Sequence, residues 1–296
     1  MTDIIQRMLA DGPVITDGGW GSQFLQLGLA PGELGDAWNL THPDRVEAIP
    51  RAYVAAGSQI VLTNTFLANR IGLAGHGLEG QIREINQAGV AISQRAAGGS
   101  ARVFGSIGPT GKLLVTGDVT AEQLAEVFRE QVGILAGAGV EAIVIETMAD
   151  LAETTLAIQA ARETGLPVVA CLAYASGKNR DRTMMGVTPE QAVEALTAAG
   201  ADVIGANCGQ GMSGYVEICR RMRAVTDRPL WIKPNAGLPE LIDGRTIYRT
   251  TPEEFAAQVP ALLDAGANFV GGCCGTTPDY IRAVAGKVRA LSQGRE

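Results

Sequence analysis

Three cysteines, each set among glycines, carry the most specific chemical signal in the chain. Cys208 stands in "GANCGQG", while Cys273 and Cys274 stand side by side in "GGCCGTTP". Adjacent cysteines can hardly bridge each other without strain. Three thiolates do suit Zn²⁺, a borderline-soft ion that takes sulfur at about 2.3 Å. Three protein ligands leave a fourth position open, which marks catalytic rather than structural zinc. The alternative is packing, since cysteine is commonly buried as a small hydrophobe. Cys171 in "VVACLAY" and Cys219 in "YVEICRRM" fit that alternative, mid-strand and mid-helix. The only histidines are His42 and His76, and neither follows an apolar strand-like run, so a His-built site is not expected.

Two acids accompany the thiols. Asp17 opens "DGGWGSQ" and Glu146 lies in "IETM", each at the end of an apolar segment, with no evident basic partner nearby in sequence. Beside a thiol-binding metal, such acids suit a substrate carrying both an ammonium group and a sulfur. The competing role is loop capping by the aspartate of "DGGWG". "SIGPTG" and "KPNAG" are candidate anion loops, through backbone N–H groups that glycine leaves accessible.

These residues need a scaffold that gathers distant segments. Eight short apolar runs read as strands: "PVIT" from Pro13, "QIVLT" from Gln59, "RVFGS" from Arg102, "AIVIE" from Ala142, "VVACL" from Val168, "DVIGA" from Asp202, "LWIKP" from Leu230 and "FVGG" from Phe269. Continuous Val/Ile-rich runs are the mark of parallel strands buried on both faces. Helical spacing fills the intervals. Gly57, Gly139, Gly200 and Gly266 suit the left-handed position that closes a helix. Thr41, Thr188, Thr251 and Thr277 are expected N-caps, each followed closely by proline. Helix-to-strand connections are short and several strand-to-helix connections long.

That pattern predicts an α/β fold, a (β/α)8 TIM barrel formed as one domain over residues 1–296, with a doubly wound open sheet as the rival. In a barrel the C-terminal ends of all strands share one mouth. Asp17, Thr63, Glu146, Cys208, Lys233, Asn235, Cys273 and Cys274 would then meet there. "AYASGKNRDRTMMG" and "LIDGRTIYR" are long connections that would serve as lids or as fixed rim.

Composition narrows the partners. The 296 residues carry a formal charge of −7, with no basic footprint, so nucleic acid is not expected. No apolar run reaches membrane-spanning length and the N-terminus lacks a signal-peptide pattern, which predicts a cytoplasmic protein without membrane contact. Five cysteines, an odd number, argue against a disulfide framework.

In order along nearly the whole chain, "DGGWGSQ", "TNTF", "IGPTG", "IETM", "GANCG", "KPNAGLPE" and "GGCCGTTP" resemble the zinc-dependent homocysteine S-methyltransferases. The resemblance implies a TIM barrel holding Zn²⁺ on Cys208, Cys273 and Cys274. It implies that Asp17 and Glu146 hold the amino group of L-homocysteine, with Gly18 and Thr63 contacting the amino acid. Asn207 and Asn235 are expected around the metal site. The implied reaction passes a methyl group from a small onium donor to the homocysteine thiolate, giving methionine.

The wording of "WNLTHPDR", "TNTFLANR" and "RTMMGVTP" is similar to short bacterial enzymes assigned to betaine. The aromatic cage of animal-type betaine enzymes is not reproduced, because Leu67 and Thr147 stand in its places. Trp20, Trp38 and Tyr174 are available for a different donor pocket, or for packing at the rim. S-methylmethionine, another sulfonium such as dimethylsulfoniopropionate, and a methylcorrinoid protein are alternative donors. A non-catalytic zinc- or thiol-binding barrel is the alternative of a different class. Whether copies assemble into a homo-oligomer is left open by the sequence.

Overall fold

The structure, a computed structural model, describes residues 2–242 and 245–293. Eight parallel strands form one sheet: β1 (Val14–Ile15), β2 (Ile60–Leu62), β3 (Arg102–Ile107), β4 (Ile143–Met148), β5 (Val168–Leu172), β6 (Val203–Gly211), β7 (Leu230–Asn235) and β10 (Phe269–Val270). A separate antiparallel hairpin, β8 (Glu240–Ile242) with β9 (Arg245–Ile247), rises from the connection after β7. The sheet order is β1-β10-β7-β6-β5-β4-β3-β2, which brings β2 back towards β1 and bends the sheet into a barrel. All eight sequence-expected strands are present, and the barrel rather than the open sheet is the architecture.

The seam between β1 and β2 is joined partly by side chains. Gln59 N donates to Ile15 O at 2.7 Å, and its Oε1 accepts from Ile15 N at 2.8 Å. One turn further up, Asp17 Oδ2 accepts from Leu62 N at 2.8 Å. A candidate site residue thus also helps close the barrel.

Each strand sorts its side chains by the period of two that a pleated backbone imposes. In β4, Ile143 and Ile145 pack outwards against the helices, while Val144 joins the interior with Phe104, Cys171, Trp231 and Phe269. Continuing the alternation turns Glu146 inwards, and the same count on β6 and β7 turns Asn207 and Lys233 inwards. Ile5, from a helix over Asp3–Leu9 that the sequence reading did not anticipate, packs into this interior cluster.

Two of the four expected threonine caps form. Thr188 and Thr251 form full capping boxes with Gln191 and Glu254, and Thr120 forms an unanticipated third with Gln123. Thr41 does not cap. Proline must take the first helical position, so His42 precedes the helix Pro43–Ala56, and Thr41 ends the short helix before it. Gly57, Gly139, Gly200 and Gly266 all adopt φ between 91° and 110° where their helices finish.

The first of the two long rim connections is tied down in this structure. In "AYASGKNRDRTMMG", Ser176 and Arg182 bridge, Gln210 Nε2 donates to Arg180 O at 2.8 Å, and Asp181 pairs with Arg221 at 2.6 Å. The "LIDGRTIYR" connection forms the β8–β9 hairpin, with Asp243 and Gly244 outside the described residues.

Asp36 links two mouth connections and creates a pH-dependent element. Its Oδ1 accepts from Leu67 N at 2.9 Å, and only 5% of the residue is exposed. Burial, outweighing the backbone N–H groups that favour its charge, pushes its pKa up to about 6. An acid with a raised folded pKa stabilises the fold most below its unfolded pKa, near 3.9, and that contribution is lost as pH rises through about 6. The shift corresponds to roughly 3 kcal/mol. Asp36→Asn is therefore expected to gain stability relative to the parent between pH 4 and 7.5, read as the difference between their denaturant midpoints at each pH.

Candidate active site

The three cysteines singled out in two separate segments of the sequence meet at the barrel mouth. Their Sγ atoms all lie within 4.8 Å of one another, and Cys208 Sγ is 3.7 Å from Cys274 Sγ. Sulfurs around one tetrahedral zinc, with bonds of about 2.3 Å, are spaced by about 3.8 Å. The donor set therefore fits zinc in element, number and spacing. Hydrogen bonds from the Cys273 and Cys274 thiols hold Cys208 well below the usual thiol range, while the same bonds to Cys208, with burial, push both of them up. Cys171 and Cys219 are fully buried elsewhere, as packing residues.

The backbone is unusual where it presents these groups. Cys208 (φ 60°) and Thr147 (φ 62°) occupy the left-handed region that non-glycine residues rarely enter. Asn207 binds the two segments together: its Oδ1 accepts from Thr147 N and its Nδ2 donates to Thr147 Oγ1, both at 2.7 Å. The same Nδ2 lies 3.4 Å from Glu146 Oε2 and 3.7 Å from Cys273 Sγ. Asn207 thereby sets the acid and the thiols in one frame. Asn235, 3% exposed, lies beside Cys208, and its Oδ1 has no hydrogen-bond partner among the described residues.

Asp17 and Glu146 are buried at this level. Glu146 Oε1 accepts from Ser106 Oγ at 2.6 Å, leaving Oε2 with only the long Asn207 contact. Burial raises its pKa, against the pull of the Lys233 charge. Asp17 is not without a basic partner, as its sequence neighbourhood suggested. Lys233 Nζ donates to Asp17 Oδ1 at 2.5 Å, and Trp20 Nε1 donates to Oδ2 at 2.9 Å. The two residues are 216 positions apart, so only barrel closure reveals the pair.

Other expected contacts sort differently. The buried Gly18 lies at the mouth beside Asp17, and its N–H has no protein acceptor among the described residues. Thr63 Oγ1 accepts from Ser106 N at 3.0 Å and shares a 2.6 Å contact with Thr65 Oγ1, which itself donates to Ser106 O. The Thr63 proton and one acceptor position are thus engaged in joining the end of β2 to β3. The "SIGPTG" loop is not an open anion cradle either: Gly108 N donates to Phe66 O, and Thr110 N donates to the buried Glu153. In "KPNAG", Ala236 N donates to Cys274 O, so that loop braces the thiol segment.

Of the three candidate donor aromatics, two are enclosed. Trp38 is 2% exposed and lies against His42 and Phe24, and Tyr174 is fully buried. Trp20 is half-buried and borders Asp17. The sequence reading missed Tyr248, whose half-buried ring covers Gly275 and whose hydroxyl faces Cys274. No periodicity or motif marks it, because it lies in an irregular connection beyond the hairpin.

Among the described residues no helix is long and apolar enough to cross a membrane. The profile of the homocysteine S-methyltransferase family matches residues 14–288. Methionine synthases of Mycobacterium leprae and Mycobacterium tuberculosis are 30% and 32% identical over 99% of this chain, which spans 26% of their length. The metallated form of the homocysteine methyltransferase MmuM from Escherichia coli shares the fold, with a TM-score of 0.80 at 22% identity over 96% of this chain and 99% of that one. With a match over nearly its whole length, the chain belongs to the homocysteine S-methyltransferase family of enzymes.

Proposed function

We propose that the protein, acting as one barrel domain over residues 1–296, methylates L-homocysteine from an onium donor, foremost betaine. Zn²⁺ would be held by Cys208, Cys273 and Cys274. The observation that carries this reading is the convergence of three sulfurs within 4.8 Å beside two buried carboxylates. Zinc bound there supplies Lewis acidity that favours a thiolate, the nucleophilic form, at neutral pH.

The chain's own groups do the positioning. Glu146 Oε2, the less satisfied of its oxygens, accepts the substrate ammonium, and Gly18 N–H is available to its carboxylate. Asp17 orients this end of the pocket through Lys233, Trp20 and Leu62. Asn207 keeps Glu146 in register with the thiols. The half-buried rings of Trp20 and Tyr248 offer aromatic faces, which attract an onium methyl group. A pocket poor in water assists a displacement in which donor and nucleophile charges are neutralised.

The methionine synthase relatives fit the same acceptor and product, and one second reading keeps these with a methylcorrinoid as the donor. Zinc-loaded protein given homocysteine with betaine, S-methylmethionine, dimethylsulfoniopropionate or methylcobalamin separates these. Methionine from betaine is the expected result. Methionine from methylcobalamin alone would favour the second reading. Tight zinc binding with no methionine from any donor would favour a non-catalytic barrel.

A further inference from the structure

Lys233 is a buried cation whose hydrogen-bonding capacity is mostly unused. Only 2% of it is exposed, yet among the described residues its ammonium group has a single acceptor, Asp17 Oδ1. An ammonium carries three N–H donors, and burying them unmet is costly. The strand order explains how it reaches the site. Phe269 pairs with Trp231 and Val270 with Ile232, so Gly271 follows beside Lys233; on its other side the register brings Thr16. A side chain at Gly271 would collide at once, since its Cβ would lie 2.0 Å from Thr16 Oγ1 and 2.6 Å from Asp17 O. The missing side chain lets β1 and β7 flank β10 closely at the level of Thr16 and Lys233.

Glu146 stands on the same floor: Asn207, whose Nδ2 reaches Glu146 Oε2 at 3.4 Å, is the register partner of Lys233 on the neighbouring strand. A free ammonium acceptor and a cation with spare donors are therefore both turned into the barrel interior, on either side of Asn207. An α-amino acid carries the complementary pair, ammonium and carboxylate, on one carbon.

We infer that Lys233 is a specificity-determining residue, donating from its spare N–H groups to the substrate α-carboxylate while Asp17 holds it in place and Glu146 takes the ammonium. The inference rests on homocysteine being the acceptor. Its consequence is selectivity for zwitterionic thiols over thiols that carry the amine alone.

The test is calorimetric binding to zinc-loaded protein of homocysteine and of 3-aminopropane-1-thiol, which is homocysteine without its carboxylate. The parent protein is expected to bind homocysteine about a hundredfold more tightly, the scale of a buried charged hydrogen bond. Lys233→Met is expected to cut that preference to a few-fold by weakening homocysteine binding, with affinity for the amine thiol held within about threefold. Equal loss of both ligands in the variant would make Lys233 a structural residue and overturn the assignment. So would a parent protein that binds the two thiols alike, a comparison that needs no variant. Failure to bind homocysteine at all would overturn the acceptor itself, whereas binding without preference overturns only the role of Lys233.

Discussion

Replacing Cys273 with serine is expected to lower methionine formation by about a thousandfold or more and to leave the protein unable to retain zinc through dialysis. Serine nearly preserves shape but stays protonated at neutral pH, so it offers neither the anionic charge nor the soft donor that the site requires. The position is also poorly able to compensate. Cys273 N donates to Pro234 O at 2.7 Å and its carbonyl accepts from Thr276 Oγ1 at 2.7 Å, so the backbone is fixed on both sides. Cys219→Ser supplies the control, because that thiol donates to Ala265 O in the helix layer, away from the mouth. Zinc analysis and methionine formation, measured on both variants, check the expectation.

Glu146→Gln is expected to raise KM for homocysteine about a hundredfold with a smaller change in kcat. The amide keeps the size of the side chain, and its carbonyl can still accept from Ser106 Oγ. What disappears is the charge facing the substrate ammonium. A charged hydrogen bond in a buried site contributes about 2–5 kcal/mol when one partner is removed. The loss belongs mainly in KM, because the ammonium lies away from the reacting sulfur and is held equally in ground and transition states. Steady-state kinetics with homocysteine as the varied substrate makes the separation. A fall in kcat with KM unchanged would place Glu146 near the methyl group instead.

The barrel was legible because its strands are continuous apolar runs, bounded by glycines that end one helix and threonines that start the next. The meeting of three cysteines was legible for a related reason: strand ends in a barrel converge, so Cys208 and the 273–274 pair could be brought together without coordinates. Most of what escaped depended on contacts between segments distant in sequence. The Lys233–Asp17 pair requires knowing that β7 and β1 flank β10, with Gly271 between them. The fate of the "SIGPTG" donors required knowing that Glu153 turns back beneath Thr110. Aromatic type alone could not separate Trp20, half-buried beside Asp17, from Trp38, sealed between Phe24 and His42. Thr41 failed for a local reason, the insertion of His42 between it and proline.

The most direct measurement is methionine formation from homocysteine and the productive donor before chelation, after complete zinc removal, and after zinc is restored. Activity that vanishes with the metal and returns as zinc refills the site is the expected result. Undiminished methyl transfer by protein shown to contain no metal would contradict a zinc-dependent site built on Cys208, Cys273 and Cys274.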